Sequence, residues 1–454
     1  MNAQHRAQRP RRTAIALLGV ERFDQRHETR PRHDRLHLGQ KHRFPGLLAG
    51  FGQETSFGQT QLLHRLHRFR GRYDNGAIFS NHAAWRLLMQ NFLKRSTIVL
   101  LSIMVSACSL PEWLFNSKKQ IIEKTLGQAP FSCSRGFGKI INRNVIQKNS
   151  HGIIYRISIN SCGSIVHAYQ AIPQNSDNNT PVVIALHQTT NVGKDEVMGL
   201  GGDVNMAYGK KFFESGFIVI SPDVFVAGEN YNTVTGWDTS SFYQNFPNWS
   251  AMGKMLHDHL STTRFARKEF PHSCIAVVGH SLGGHNALFL AAFEENIDVV
   301  VSSAGFESIA TDTEAMRWSR DSWFVYMPLL RPYAAMGAPR QVPWDFDDLL
   351  KIIFPRPVMI IQGMNDDSWK NPESVESMVH TANVIYKKNG LPEINTIFHY
   401  YGHSFGLNLQ QKSVDFVTEN CRKKNALVKK PLGNPWKSWA MRIPKEIRPI
   451  FRLN

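Results

Sequence analysis

Two stretches alternate apolar and polar residues with a period of two: residues 152–160 (GIIYRISIN) and 164–172 (SIVHAYQAI), joined across Cys162-Gly163. That pattern predicts a hairpin of half-buried strands. Downstream the pattern changes to short runs that are apolar at nearly every position. They are PVVIALH (181–187), GFIVISPD (216–223), CIAVVGH (274–280), IDVVVSSA (297–304), RPVMIIQG (356–363) and NTIFHYYG (395–402). Strands apolar on both faces belong in a parallel sheet covered by helices on each side. Stretches with helical spacing intervene at about 249–269, 282–295, 371–389 and 408–422, so strands and helices alternate. The order predicts one open, mostly parallel α/β sheet with right-handed crossovers, spanning about 109–424, with an insertion at about 307–346.

Residues 1–88 show no sustained apolar period, and 15 of their 16 basic residues are Arg, whereas 22 of the 37 in 89–454 are Lys. A basic arm and a disordered extension are two readings; the favoured one is a misplaced start, with translation beginning at Met89. The run MQNFLKRSTIVLLSIMVSACS has a basic flank at Lys94 and Arg95, an apolar stretch and a small-residue exit, in the order of a secretory signal. Its apolar core of about ten residues is too short to cross a bilayer as a helix. Val105-Ser106-Ala107-Cys108 resembles a bacterial lipobox, which implies acylation of Cys108, a membrane lipid anchor and, with Ser109 next, an outer-membrane lipoprotein.

The net charge of +17 invites a nucleic-acid reading. Residues 1–88 and 422–454 contribute +10 and +9, however, so everything between is mildly acidic and no nucleic-acid partner is expected. Export agrees with the cysteines: Cys133, Cys162, Cys274 and Cys421 form an even set in a compartment that permits disulfides. Three pairings are open, with Cys133 to Cys162 preferred and free thiols the alternative. His257-Asp258-His259 lies on a helical stretch where i and i+2 face apart, so no metal is expected there. The basic tail 425–454 carries Trp436, Trp439 and Ile443 among its cations, which suits an anionic membrane surface, an exposed tail or a segment folded back on the sheet edge.

Candidate chemistry gathers at strand ends, where open α/β sheets place their sites. Gly279-His280-Ser281-Leu282-Gly283 follows one predicted strand and opens a predicted helix, the context that raises a weak G-x-S-x-G match to a nucleophile elbow. A serine needs a base and an orienting acid, expected in the order Ser, Asp, His. Asp366 follows the strand 356–362 and His403 follows the last strand, so Asp366 would hold the tautomer of His403 and His403 would take the Ser281 proton. Asp367 is an alternative acid, with Asp366 then a helix cap, and His399 an alternative base. His280 and His285 lie too close along the chain to act as base. The oxyanion hole would use the backbone N–H of Leu282, at the helix start, with Thr189 or Gln188 from the loop after the strand 182–186.

GHSLGG, GMNDD and YGHSF resemble the α/β-hydrolase superfamily over about 150–424. LHQTTNVGKDEVMGLGG, FPNWSAMGKMLHD and PWDFDDLLKIIFPRPVMIIQG are similar to its dienelactone-hydrolase-like and acetyl-xylan-esterase-like branch. The resemblance implies a serine esterase that uses no cofactor and acts on a small-molecule or glycan ester. Ser281 stands where dienelactone hydrolases carry cysteine, and His-Gln-Thr-Thr replaces the HGGG-type loop of lipases. The insertion holds Trp318, Trp323, Phe324, Tyr326, Met327, Tyr333 and Trp344, suited equally to stacking on sugar, lining an acyl pocket or plain packing. Trp249 is expected in the core at a helix start. A serine exopeptidase of the same fold and a non-catalytic surface lipoprotein are the competing functions.

Overall fold

The computed structural model describes residues 117–130, 133, 138–337 and 339–429, with side chains through Lys424. Residues 1–88, the signal segment with Cys108 and the tail beyond 429 lie outside the described residues. In chain order the elements are α1 (117–126), β1 (Ile140–Asn149), β2 (Gly152–Ser161), β3 (Ser164–Pro173), β4 (Val182–Leu186), α2 (Lys194–Val197) and α3 (Tyr208–Glu214). Next come β5 (Ile218–Pro222), α4 (Ser240–Asn245), α5 (Ala251–Glu269), β6 (Ile275–His280), α6 (Leu282–Phe293) and β7 (Val299–Ser303). The chain ends with α7 (Arg331–Ala334), α8 (Phe346–Ile353), β8 (Val358–Gly363), α9 (Pro372–Lys388), β9 (Asn395–His399) and α10 (Leu407–Lys429).

The nine strands form one sheet in the order β1-β2-β3-β5-β4-β6-β7-β8-β9. β1, β2, β3 and β5 pair antiparallel in turn, and from β5 through β9 all pairings are parallel. Alternation within each strand sorts the core into two layers. Ile184, Ile220, Val277, Val300 and Ile360 face α5, α6, α8 and α9, whereas Val183, Val219, Val278, Val301 and Ile361 face α3 and α10. Removing both faces of these strands from water supplies the main folding drive.

The hairpin turn falls at Cys162-Gly163, both with positive φ, the sign pattern of the tight turns that match strand twist. Both disulfides are formed, Cys133–Cys162 and Cys274–Cys421. The first agrees with the preferred pairing; the second fastens the start of β6 to α10. β1 has no counterpart among the predicted strands. Nearly all of its residues are exposed and its pairing with β2 shifts register twice, so no apolar face marks it in the sequence. At the end of the insertion begins α8, a helix whose cap is reciprocal between Asp345 and Asp348. The last helix also runs seven residues beyond the expected 422.

Candidate active site

Ser281 occupies the single residue between β6 and α6, with φ 53° and ψ −118°. Left-handed backbone at a non-glycine residue costs on the order of 1–3 kcal/mol and persists only when its surroundings enforce it. The enforcement is visible: Ser281 N–H donates to Ser303 O at 2.8 Å and its own carbonyl accepts from Gly284 N–H at 2.8 Å. The flanking glycines are required by close approach. A Cβ on Gly279 would sit 2.1 Å from Gly283 O, and one on Gly283 would sit 1.9 Å from Leu186 O. The hydroxyl is thereby pushed clear of the chain, and among the described residues Ser281 Oγ has no hydrogen-bond partner.

The structure joins the next two predicted residues directly. Asp366, buried on the turn after β8, accepts from His403 Nδ1 at 2.8 and 3.0 Å. Its Oδ1 also accepts from the backbone N–H of Ser368 and Trp369, so the carboxylate is both a turn cap and the partner of the imidazole. Asp367 is exposed and meets no imidazole. His403 comes to the elbow through His280, the ring centroids lying 4.8 Å apart, although no direct hydrogen bond joins His403 to Ser281. Catalytic contacts are often long before substrate binds. The alternative base, His399, accepts from Tyr401 N–H at Nδ1 and is held below the usual imidazole range by burial.

The loop after β4 shows a device that the sequence did not. Lys194 is buried, and its Nζ meets Asp223 at 2.6 Å and Glu229 at 2.8 Å. Its backbone N–H also donates to Asp223. His187 uses both nitrogens, Nδ1 toward Gln188 O at 2.6 Å and Nε2 toward Val224 N–H at 3.1 Å. These contacts fix the loop 187–194 over the end of β4. Thr189 borders the same cavity as Ser281 and Leu282, while the Gln188 side chain turns away to Glu196. Leu282 opens α6, where the first backbone N–H groups have no intrahelical acceptor. The pairing partners of Lys194 lie far along the chain, so only tertiary structure reveals its burial.

The cavity beside Ser281 has a volume of about 210 Å³ and is bordered by Thr189, Leu282, His285, Arg317, Trp318, Arg320, Trp323, Phe324, Tyr326, Ser368 and Trp369. Four of the seven insertion residues singled out from the sequence therefore line it. Trp344, Met327 and Tyr333 pack in or against the main core, and Trp249, just ahead of α5, is buried in a separate small cluster with Cys133, Cys162 and Phe242. Trp318 stacks on Trp369 at 5.6 Å, and the Arg317 guanidinium lies over Trp369 while pairing with Asp312 and Glu307. Burial, reinforced by the neighbouring Asp312 carboxylate, pushes the Glu307 carboxyl up to about 8. Trp323, left-handed at φ 58° and half exposed, carries Arg320 on its face. A larger cleft of about 700 Å³, between α1 and the Pro247–Ser250 turn, holds none of the predicted catalytic residues. Cys133, Cys162 and His257 bring possible ligand atoms within 4.8 Å of one another, but the two sulfurs are bonded together and offer no thiolate to a metal.

No family model and no curated protein matches the chain. Among solved structures it is similar to a glucuronoyl esterase from Solibacter usitatus, at 12% identity with a TM-score of 0.52, covering 67% of this chain and 92% of that one. A second glucuronoyl esterase structure from the same organism gives 12%, 0.51, 67% and 91%. At this identity the likeness is one of fold, and together with the sheet order it gives the described chain the α/β-hydrolase fold.

Proposed function

We propose that the chain is an exported serine hydrolase that cleaves carboxylic esters, with acylated or esterified carbohydrate as the substrate class. The observation that carries the reading is the Asp366 carboxylate bound to His403 Nδ1, next to a serine held in strained backbone at a strand-to-helix turn. A carboxylate on Nδ1 fixes the proton there and leaves Nε2 free to accept one. Ser281 Oγ attacks the ester carbonyl as His403 Nε2 takes its proton. The negative charge on the tetrahedral oxygen is met by the backbone N–H groups of Leu282 and Thr189. When the intermediate collapses, His403 returns the proton to the departing alcohol and Ser281 keeps the acyl group. Water, activated by the same imidazole, then releases the acid.

The carbohydrate assignment draws on the similar solved structures, named as glucuronoyl esterases, and on the aromatic walls of the cavity. Two disulfides and the lipobox-like segment at Cys108 support an oxidising compartment and attachment to the cell envelope. A fluorophosphonate probe tests the chemistry. Labelling of the wild type and none of Ser281→Ala is the expected result; an unlabelled wild type would remove the serine-hydrolase reading. Turnover of 4-nitrophenyl acetate in preference to aminoacyl anilides separates the esterase from an exopeptidase.

A further inference from the structure

His285 lies one helical turn beyond Ser281 on α6 and borders the same cavity. Its ring is buried, with 6% of the residue exposed. Nδ1 lies 2.9 Å from the Gly305 carbonyl, which can only accept, so the proton is on Nδ1 and Nε2 is left as a bare lone pair. That Nε2 is buried and has no hydrogen-bond partner among the described residues. Burial also holds the imidazole down at about 4, so the ring is neutral, and an acceptor, throughout the physiological range.

The surrounding polar atoms are already satisfied. Trp318 Nε1 donates to Asp312 at 3.1 Å, the Tyr326 hydroxyl to Asn286 at 2.9 Å and Trp369 Nε1 to Ala304 O at 2.5 Å. His285 Nε2 is thus the one unpartnered buried polar side-chain atom among the residues described around this cavity. A buried acceptor without a donor is costly, and native structures leave few of them. Three other roles fail on chemistry. Without a carboxylate on Nδ1, and with its basicity suppressed by burial, the ring is a poor general base. Among the described residues no second histidine, cysteine or acid borders the cavity to share a metal ion. A substrate carboxylate has no proton to offer a lone pair.

On the reading of Ser281 as nucleophile, we propose that His285 Nε2 accepts a hydrogen bond from a hydroxyl of the substrate. The ester is therefore one whose group in this cavity carries an O–H. Trp323, half exposed at the border of the cavity, and the buried acceptor match a sugar ring, which presents an apolar face and a polar rim. Trp318 and Tyr326 meet the imidazole edge to face at 5.4 and 5.3 Å, which fixes the direction of the lone pair.

The test compares wild type, His285→Phe and His285→Gln on monoacetylated methyl β-xylopyranosides, the methyl ester of glucuronic acid and their monodeoxy analogues, with 4-nitrophenyl acetate as a hydroxyl-free reference. In wild type at least one deoxy change should lower kcat/KM on the order of 10- to 100-fold, because it leaves Nε2 without its donor. His285→Phe should flatten that ratio to within about threefold, and His285→Gln, whose amide oxygen accepts, should recover part of it. The ratio within one variant is what is read, so a variant that folds poorly still reports. If wild type cleaves 4-nitrophenyl acetate but ignores the hydroxylated esters, or if the ratio survives in His285→Phe, the inference is overturned. Absence of any turnover or fluorophosphonate labelling in wild type overturns the esterase reading as well.

Discussion

Exchanging Asp366 for asparagine keeps the side-chain shape and changes only what its atoms offer, so the outcome can be worked out contact by contact. Oδ1 takes the Ser368 and Trp369 N–H groups at 2.8 and 3.2 Å, and Oδ2 takes His403 Nδ1 at 2.8 Å. If the amide oxygen stays with the two backbone donors, the new NH2 faces Nδ1 and drives the His403 proton to Nε2, the tautomer that cannot accept from Ser281. If the oxygen turns to His403, the NH2 meets two buried N–H groups and the turn loses its cap. The first arrangement keeps more bonds, so the protein should fold normally and lose turnover. By analogy with serine triads the loss should be on the order of 10⁴ in kcat, about 5.5 kcal/mol of transition-state stabilisation, with little change in KM. Asp367→Asn, at an exposed carboxylate, should stay within about twofold. The assay is steady-state hydrolysis of 4-nitrophenyl acetate, normalised to folded protein by circular dichroism. An Asp366→Asn enzyme within tenfold of wild type, or an Asp367→Asn enzyme that is the more damaged, would refute the assignment of the acid.

Three further outcomes follow from the packing. Removing Cys274–Cys421 by paired alanines should cost more stability than removing Cys133–Cys162, because the chain-entropy estimate is about 5 kcal/mol for a 147-residue loop against about 3.6 for 29 residues; urea unfolding measures it, and the reverse order would show that something other than loop closure sets the effect. Gly283→Ala, whose Cβ would lie 1.9 Å from Leu186 O, should displace the elbow and abolish fluorophosphonate labelling more completely than it lowers the melting temperature; full labelling would mean that the close approach is not needed. The pH dependence of stability should have two limbs. His257 and His285 are held at about 4 and His259 at about 3 by burial, so the folded state binds fewer protons there than the unfolded chain and stability should rise from pH 4 to about 6.5. Glu307 is raised to about 8 by burial beside Asp312, so the folded state holds a proton that the unfolded chain loses above about 4.3, and stability should fall through pH 8. Melting temperatures across pH 4–9 check both limbs, and an alkaline limb that persists in Glu307→Gln would clear Glu307 as its source.

What the sequence disclosed divides along physical lines. Strands β4 to β8 were legible because a strand covered on both faces must be apolar at nearly every position, and few other structures demand that. β1 was not, because an exposed edge strand needs only its ladder to β2 and leaves no hydrophobic signature. Ser281, Asp366 and His403 were legible since each sits on the loop after a strand, and the fold carries such loops to one end of the sheet. The burial of Lys194 was not, because its partners Asp223 and Glu229 lie 29 and 35 positions away and become neighbours only when β5 docks beside β4. The aromatic insertion was half legible. Composition located it between two strands, but only packing separates Trp323, half exposed at the cavity, from Trp344, which donates to Thr125 and fills the core.

Histidine chemistry around the elbow is sorted by what meets Nδ1. His403 meets the carboxylate of Asp366, the one partner of the set that can stabilise an imidazolium as it forms. His280, beneath it, meets the Ser303 hydroxyl, and burial next to His403 and His399 keeps it far below the usual range and therefore neutral. His285 and His187 meet backbone carbonyls, those of Gly305 and Gln188, and burial lowers both. A positive charge arising during the reaction consequently has one place to settle, and the rings packed near it add no standing charge to oppose it. This division lets the motif Gly-His-Ser-Leu-Gly-Gly-His surround a nucleophile with imidazoles without confusing its base. On the proposed mechanism the ring tied to a carboxylate moves protons, the ring with both nitrogens engaged braces the loop that carries Thr189, and the ring with one unpartnered lone pair takes a donor from the substrate.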